Sequence, residues 1–475
     1  MEFVLTNKQM RDADSFTINV QGVSEVTLIE RAGEALAEEV YKRFQGGRIG
    51  IFVGGGNNGA DGKVLFKILS NDARFDTEII SLPNCNDYLT KKFDIIVDCL
   101  FGTGLNREVK GEYYTCIEYI NGSDAFVISC DLPSGLSGDN GKVMGVAVKA
   151  NLTITFQQYK LGHFLNDGLD YTGNLVVKDV GISVLGDEFV KIADNLDVKM
   201  LFNDRARNVH KGCFGKASII GGSKNYTGSV ILSLNALSAL KMGIGYANLT
   251  VPESVFDAYV GKVPECTLFS FNDDQNKPFI AEDFERFLGY DAIAIGMGMG
   301  VTLRTYEIIN YFLHNYTGKL LIDADGINAL SKFGKDALKT KKCRVVLTPH
   351  IQEFSRLTGI DKSIILDNPV EHAVDFAKQF DCVVLLKNAV SVITDGKEIF
   401  LNVTGCAGMA KGGSGDVLSG LTVGLLARCE SVINSVVSSA YIFGKAGEYA
   451  ESKQNAFTIT ASDIIKELAN VINDL

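Results

Sequence analysis

The stretch RIGIFVGGGNNGADGKVLFKILSND, Arg48–Asp72, reads as strand, glycine turn and helix in immediate succession. Arg48–Val53 is a short, nearly continuous apolar run, the pattern of a strand covered on both faces. Gly54–Gly59, GGGNNG, matches G-x-G-x-x-G, and apolar side chains return at helical spacing after Gly62. A dinucleotide fingerprint also wants an acidic residue ~20 positions on, at the end of the second strand. Glu78 stands at about that distance but starts its strand, so two readings remain: a ligand-cradling turn, or a tight turn serving packing. Asn57, Asn58 and Asp61 favour the first, because they put polar side chains where open α/β sheets bind ligands.

The same alternation extends outward. Upstream, Ile29, Ala32, Leu36, Val40 and Phe44 recur three or four apart and predict a helix over 24–44. Downstream, TEIISL, FDIIVDCLFG, AFVISCDLPSG, NLTITFQ and NLVVKDVGI read as strands, with a helix near Glu112–Ile120. Ser183–Asn208 carries more charge, few glycines and no clear β pattern, and marks a domain boundary that divides the chain into 1–200 and 201–475. The alternation then restarts with KASIIGGS, a small-residue helix from Thr227 to about Met242, and YANLTVP. DAIAIGMGMG, KLLIDADG, RVVLTPH, CVVLLKN, SVITD and EIFLNV follow as strands, and helices around Gly415–Ala427, Ser431–Ala450 and Ser462–Ile472 close the chain. This predicts an α/β fold of two tandem domains, each built on a parallel sheet with helices on both faces.

Composition narrows the function. The 475 residues are 46% hydrophobic and 22% charged, ample for two large cores. A net charge of −11 with no long Lys/Arg run argues against nucleic acid as partner. Phosphorylated ligands would then be held by backbone N–H groups, helix N-termini and metal ions. Ten cysteines, Cys85 among them, are dispersed without a CxxC pair, and the five histidines are scattered, so reduced buried thiols in a cytoplasmic protein are expected. Charges arrive too early for a signal peptide, and no run approaches the ~18 apolar residues of a membrane helix.

Several strand ends carry chemistry. In the first half, Asp98 and Asp131 join Asn58 and Asp61 on one sheet edge, and the Phe101–Leu105 turn adds backbone N–H groups. Asn58, Asp98 and the Ser134 hydroxyl would suit a hard cation, which takes oxygen ligands. In the second half, Ala407–Leu421, AGMAKGGSGDVLSGL, is a glycine-rich loop opening into a helix, an anion hole with Asp416 in the first turn. Asp416 is then a candidate base on a hydroxyl; the alternative is a mere helix-dipole partner. Ile295–Gly300 allows close backbone approach, DADGIN places Asp323, Asp325 and Asn328 together, and His350, Glu353 and Arg356 follow a strand. His350 is also readable as a capping histidine, and Lys387 as a snorkelling surface lysine. No GxxxxGK[ST] P-loop and no protein-kinase signature set is present.

Together these motifs resemble the bifunctional NAD(P)H-hydrate repair enzymes, in which an epimerase domain precedes an ADP-dependent (S)-NAD(P)H-hydrate dehydratase domain. GGGNNGADG, VDCLFGTGL, DLPSGLSGD and TFQQYKLGH…GNLVVKDVGI look like the epimerase half; HKGCFGKASIIGGS, YTGS, IGMGMG, IDADGIN, LTPHIQEFSRLTG and GMAKGGSGDVLSG look like the dehydratase half. The resemblance covers nearly the whole chain and implies an N-terminal Rossmann-like sheet and a C-terminal ribokinase-like domain. It implies that Asn57, Asn58, Gly59, Ala60 and Asp61, with Gly102, Thr103, Gly104, Leu105, Asn106, Arg107 and Glu108, contact the hydrated nicotinamide. Asp131 joins them as acid–base residue, and Asn58, Asp98 and Ser134 hold a potassium ion. In the second domain it implies a hydrate site of Ser229, Gly300, His350, Glu353, Arg356 and catalytic Asp416. ADP would meet Lys387, Asn388, Ala389, Val390 and Ser391, and Gly408, Met409, Ala410, Lys411, Gly412, Gly413, Ser414 and Gly415. A magnesium ion would bridge the phosphates.

Some positions depart from the family's pattern. Ser229 stands where Ala is common, Asn388 where Gly is, Gln352 fills a tight spot usually held by Gly, and Lys411 replaces Thr and adds positive charge beside the phosphate loop. The resemblance further implies hydrated NADH and NADPH as substrates, a homo-oligomer, and neither nucleic acid nor membrane as partner. The alternative reading is a ribokinase-like kinase of a small hydroxylated vitamin or sugar, with an N-terminal ligand-binding module.

Overall fold

The computed structural model describes residues 2–82, 87–186, 189–202, 205–237 and 242–475. It divides into two compact units, Glu2–Val190 and Lys191–Leu475. The division falls inside the expected 183–208 segment but earlier than residue 200; residues 187, 188, 203 and 204, and likewise Cys85, lie outside the described residues. Part of that segment forms strand Val190–Ile192 and helix Asn195–Lys199.

In the N-terminal unit, β1 (Glu2–Leu5) precedes the helices Asn7–Asn19 and Glu25–Arg43. Then come β2 (Gly47–Val53), β3 (Phe75–Ser81), β4 (Ile95–Cys99), β5 (Phe126–Cys130), β6 (Leu152–Phe156), β7 (Tyr159–Lys160) and β8 (Asn174–Lys178). The main sheet runs β3-β2-β4-β5-β6-β8 and every pairing in it is parallel. β4 and β6 are buried along their whole length, as strands covered on both faces must be. Because β3 and β4 flank β2 on opposite sides, the chain reverses its winding between β2 and β4. Loops leaving neighbouring strands at such a point diverge, and a crevice opens beyond their carboxyl ends. Helix Asn57–Leu69 begins directly after the glycines, and Gly59 lies so close to the Gly54 carbonyl that a Cβ there would stand 2.1 Å from its oxygen. That tight turn aims the helix N-terminus at the crevice.

Val190–Ile192 (β9) precedes the strands of the C-terminal unit: β10 (Lys216–Ile220), β11 (Tyr246–Pro252), β12 (Thr267–Phe271), β13 (Ala292–Ile295), β14 (Lys319–Ile322), β15 (Arg344–Leu347), β16 (Val383–Leu386), β17 (Ser391–Thr394) and β18 (Ile399–Asn402). They order as β12-β11-β10-β13-β14-β15-β16-β17-β18. Pairing is parallel through β16, then antiparallel in the β16-β17-β18 meander. Here the winding reverses between β10 and β13, and the glycines of Ile295–Gly300 leave at that point. Helix Ser414–Arg428 is buried almost all round, which explains its uniformly small and apolar sequence. It packs on helix Thr227–Leu237 through Gly420, where a Cβ would meet the Ser233 carbonyl oxygen at 2.0 Å. The expected extension of Thr227–Leu237 toward Met242 runs into residues 238–241, outside the described residues.

Candidate functional site

In the N-terminal unit the crevice is a cavity of about 580 Å³. Asn57, Asn58 and Asp61 reach it from the first turn of their helix, and Gly102–Arg107 reach it from the loop after β4. Asn58 and Asp61, three apart, share one helix face. Three expected residues do not line the cavity: Gly59 packs against Gly54, Ala60 sits behind it, and Glu108 faces Lys110 on the surface at 3.1 Å. Glu78 lies mid-strand and pairs with Lys91, so no ribose-binding acid stands where a dinucleotide fingerprint would have one.

Asp131, the first residue after β5, takes a left-handed backbone conformation (φ 63°) that turns it into the cavity. Its Oδ1 accepts from Lys160 Nζ at 2.5 Å and from Thr155 Oγ1 at 3.0 Å. Burial raises its pKa, but the Lys160 charge outweighs burial and holds it below the usual carboxylate range. Lys160 also donates to Thr155 Oγ1 (2.8 Å) and the Phe156 carbonyl (3.0 Å), and only 1% of its side chain is exposed. His163 locks the turn: its Nδ1 accepts the Lys160 N–H at 3.0 Å, and its Nε2 lies 2.8 Å from the Asp131 carbonyl oxygen. Burial and the Lys160 charge push that imidazole down to about 4, so it is neutral. Asp61 is buried and pushed up to about 8, by burial first and then by the Asp131 charge. Asp14, from the helix Asn7–Asn19, is pushed up to about 6 by burial. Sequence reasoning missed Lys160 and Asp14 as site residues. Lys160 was visible as a lone cation within TFQQYKLGH; Asp14 carried no signal.

Of the expected cation ligands, Asp98 and Ser134 meet in the interior, and Asn58 lines the cavity. Asp98 is fully buried, and its oxygens accept from Ser134 Oγ (2.6 Å), Ser129 Oγ (2.9 Å), Ser134 N (2.9 Å) and Leu100 N (3.2 Å). Ser134 Oγ also lies 3.1 Å from the Phe101 carbonyl oxygen. Beside them the buried Asn58 amide has an unpartnered Nδ2. A half-turn of that amide would present its oxygen instead, so the donor set fits a weakly charged cation.

In the C-terminal unit Asp416 occupies the first turn of Ser414–Arg428, behind Gly412 and the left-handed Gly413 (φ 93°). The first-turn N–H groups of that helix have no intrahelical acceptor, which makes the loop an anion cradle. Asp416 is pushed up to about 6, by burial and then by the Asp323 charge; a hydrogen bond from Ser229 and the Lys387 charge oppose the rise. Burial is thus the dominant influence on this carboxylate. Lys387 Nζ lies 2.8 Å from Asp323 Oδ1, and Ser419 donates to Asp323 Oδ2 at 2.6 Å. Lys387 is thus an internal cation rather than a snorkelling one, and it stands beneath the loop, 3.6 Å from where a Gly415 Cβ would be.

His350 does cap its helix. Its Nδ1 accepts the Gln352 and Glu353 N–H groups, while Glu353 Oε2 accepts the His350 N–H at 2.9 Å. Gly300 donates to Asp325 Oδ2 (2.8 Å), and Arg356 to Asn328 Oδ1 (3.0 Å) beside a cavity of about 480 Å³. Asn388 and Ala389 are exposed at the tip between β16 and β17, with Val390 and Ser391 leading into the strand. Gly408 and Met409 lie in a short 3₁₀ turn, Ala407–Met409, that Ala410 caps before the loop. One expectation is overturned: Gln352 is exposed and fills no tight spot. The Lys411 ammonium is held by the carbonyls of Phe457 and Ile459, each at 2.6 Å.

Known proteins share both halves. Residues 217–470 match the family model described as NAD(P)H-hydrate dehydratase, and residues 73–162 match that of the YjeF-related protein N-terminus. The bifunctional NAD(P)H-hydrate repair enzyme of Archaeoglobus fulgidus is 32% identical over 99% of each chain. That of Thermofilum pendens is 31% identical over 96% of this chain and 93% of its own. Among solved structures, the ADP/ATP-dependent NAD(P)H-hydrate dehydratase of Bacillus subtilis, co-crystallised with ATP and magnesium, is 27% identical with a TM-score of 0.52, covering 60% of this chain and 98% of its own. A ribokinase-like protein of Enterococcus faecalis shares the fold at 21% identity and a TM-score of 0.52. The chain belongs to the family of bifunctional NAD(P)H-hydrate repair enzymes.

Proposed function

We propose that this chain repairs hydrated NADH and NADPH. The N-terminal unit interconverts the R and S hydrates, and the C-terminal unit dehydrates the S form at the expense of ADP, yielding AMP and phosphate. The observation that carries the reading is Asp416, a half-buried carboxylate beside the anion cradle, with the Lys387 cation beneath it. Asp416 takes the proton of the ring hydroxyl while that oxygen attacks the terminal phosphoryl of ADP. The Gly412–Gly415 N–H groups stabilise the charge that develops on the phosphoryl oxygens. The lone pair of the ring nitrogen then expels phosphate, and the iminium so formed loses a proton from the adjacent ring carbon to restore the double bond. Ser229 orients the Asp416 carboxylate, and Arg356, Gly300 and His350 border the hydrate.

Magnesium supplies charge neutralisation on the phosphates. Among the described residues no group of three or more His, Cys, Asp or Glu is arranged to hold a metal, which fits an ion carried mainly by phosphate and water with a single carboxylate such as Asp325. Potassium would be held by Asn58, Asp98 and Ser134. A cytoplasmic location is proposed on the thiols, since all nine described cysteines are free. No helix of the described residues is long and apolar enough to cross a membrane.

The test is to incubate the protein with hydrated NADH, magnesium and either ADP or ATP, and to follow the return of nicotinamide absorbance. Recovery with one nucleotide supports the reading and identifies the phosphoryl donor. No recovery with either removes it.

A further inference from the structure

The charged groups of the N-terminal cavity divide into two kinds, and this division goes deeper than the epimerase reading on which it rests. Epimerisation has to open the hydrated ring. The hydroxyl gives up its proton, its carbon becomes a carbonyl, the bond from that carbon to the ring nitrogen breaks, and the nitrogen takes up a proton. Rotation about the adjacent carbon–carbon bond and reversal of the steps close the ring on the other face. Such a sequence needs a proton acceptor and a proton donor that face one cavity at one pH.

Asp14, Asp61, Asp131 and Lys160 all line that cavity. The three protons of the Lys160 ammonium are matched by three acceptors, Asp131 Oδ1, Thr155 Oγ1 and the Phe156 carbonyl, so none is left for a substrate. Asp131, paired with that cation and accepting a hydroxyl as well, is an anion. Asp61 has the opposite surroundings. The donor to its carboxyl is the Cys130 thiol at 3.9 Å, and Asp131 and Asp14 both press negative charge on it. Burial first, then those charges, push Asp61 up to about 8. The remaining titratable groups facing it are the buried Cys99 and Cys130 thiols, both pushed up, with Arg11, Glu25 and Arg107 among the cavity residues. Neighbouring carboxyls that cannot all ionise share a proton, and the fixed cation decides which of them goes without it.

We propose that Asp61 is the proton donor and Asp131 the proton acceptor of the epimerisation step, and that Lys160 is the positioning residue that keeps the proton on Asp61. The test uses the full-length chain, with R and S hydrates supplied separately and their interconversion followed by chromatography across pH. Asp61→Asn is expected to slow interconversion about 100-fold or more and to abolish the fall in kcat/KM expected of the wild type as pH rises through about 8. Lys160→Met is expected to move the acidic limb of the profile upward, and Lys160→Arg to move it back. Melting temperature reports whether each chain is folded. Infrared spectra of the wild type should show a protonated-carboxyl band that titrates near pH 8 and is missing from Asp61→Asn. A wild-type spectrum without that band overturns the proposal, as does Asp61→Asn at wild-type rate with an unchanged profile. A wild-type chain that leaves the two hydrates unconverted overturns the epimerase reading itself.

Discussion

Asp416, half-buried at a helix start, and Asp98, fully buried at a strand end, are built for different work. Burial first, then two acidic neighbours, Asp323 and Asp325, push Asp416 up to about 6 against a hydrogen bond from Ser229 and the Lys387 charge. Ionised above about pH 6, it can accept a proton there, and below that pH it cannot. Dehydration should therefore decline as pH falls through about 6, while nucleotide binding persists. Asp416→Asn keeps the shape and removes the acceptor; a loss of about 100-fold or more in dehydration is expected, with ADP binding and epimerisation retained. Dehydration at near wild-type rate would leave Asp416 as a helix-dipole partner only. Asp98 instead has four donors closed around it. Asp98→Ala strands those donors, and each buried group left unpaired costs about 1–3 kcal/mol. The N-terminal unit should melt earlier, and epimerisation should fall and lose any dependence on potassium, with dehydration of pure S hydrate unchanged. Equal loss of both activities would mark Asp98 as purely structural for the chain.

At the scale of elements, the phosphate loop is shaped by what lies behind it. Lys411 ties it to the 457–459 segment through two carbonyls, and Gly420 lets helix Ser414–Arg428 close on Thr227–Leu237. Lys411→Thr is therefore expected to lower the melting temperature of the C-terminal unit without weakening ADP through lost charge. A salt titration of ADP affinity checks this, since a phosphate-binding lysine would change its slope and a tether would not. Gly420→Ala should destabilise the unit by about 1–3 kcal/mol, because the helices would have to move apart. Such elements were legible in the sequence to different degrees. The β2 and β14 strands announced themselves because both faces are covered and the apolar run is continuous. β12, TLFSF, was not legible: it is half-exposed and its aromatic side chains read equally as loop or helix. The helix Leu303–Asn315 was passed over although Thr302 caps it, because no glycine loop drew attention to it. The glycine loops and strand-end acids were legible, since backbone geometry demands those residue types locally. The Asp61–Asp131–Lys160 division was not, because which carboxyl meets the cation depends on β7 returning to β5, a contact between residues 29 apart. Neither was the Lys411 tether, for the same reason: its ammonium is held by carbonyls 46 and 48 residues away.

At the scale of the whole molecule, each unit has its own run of parallel strands, its own reversal of winding and its own cavity. The N-terminal cavity draws all its lining residues from before Val190, and the Asp416 site draws all of its residues from after Lys191. Neither chemistry as proposed needs a side chain from the other unit. A chain cut between Val190 and Lys191 should therefore give an N-terminal fragment that interconverts the hydrates without nucleotide, and a C-terminal fragment that dehydrates only the S form. Supplied with the R hydrate and ADP, the C-terminal fragment should stall and the equimolar mixture should run to completion. The mixture should then approach the intact chain at saturating substrate, because S hydrate diffuses freely between two self-sufficient sites. Fragments that are folded yet inactive alone, and regain activity only on mixing, would show that a site borrows residues across the cut. In that case the two parallel sheets would be one catalytic body rather than two enzymes on a single chain.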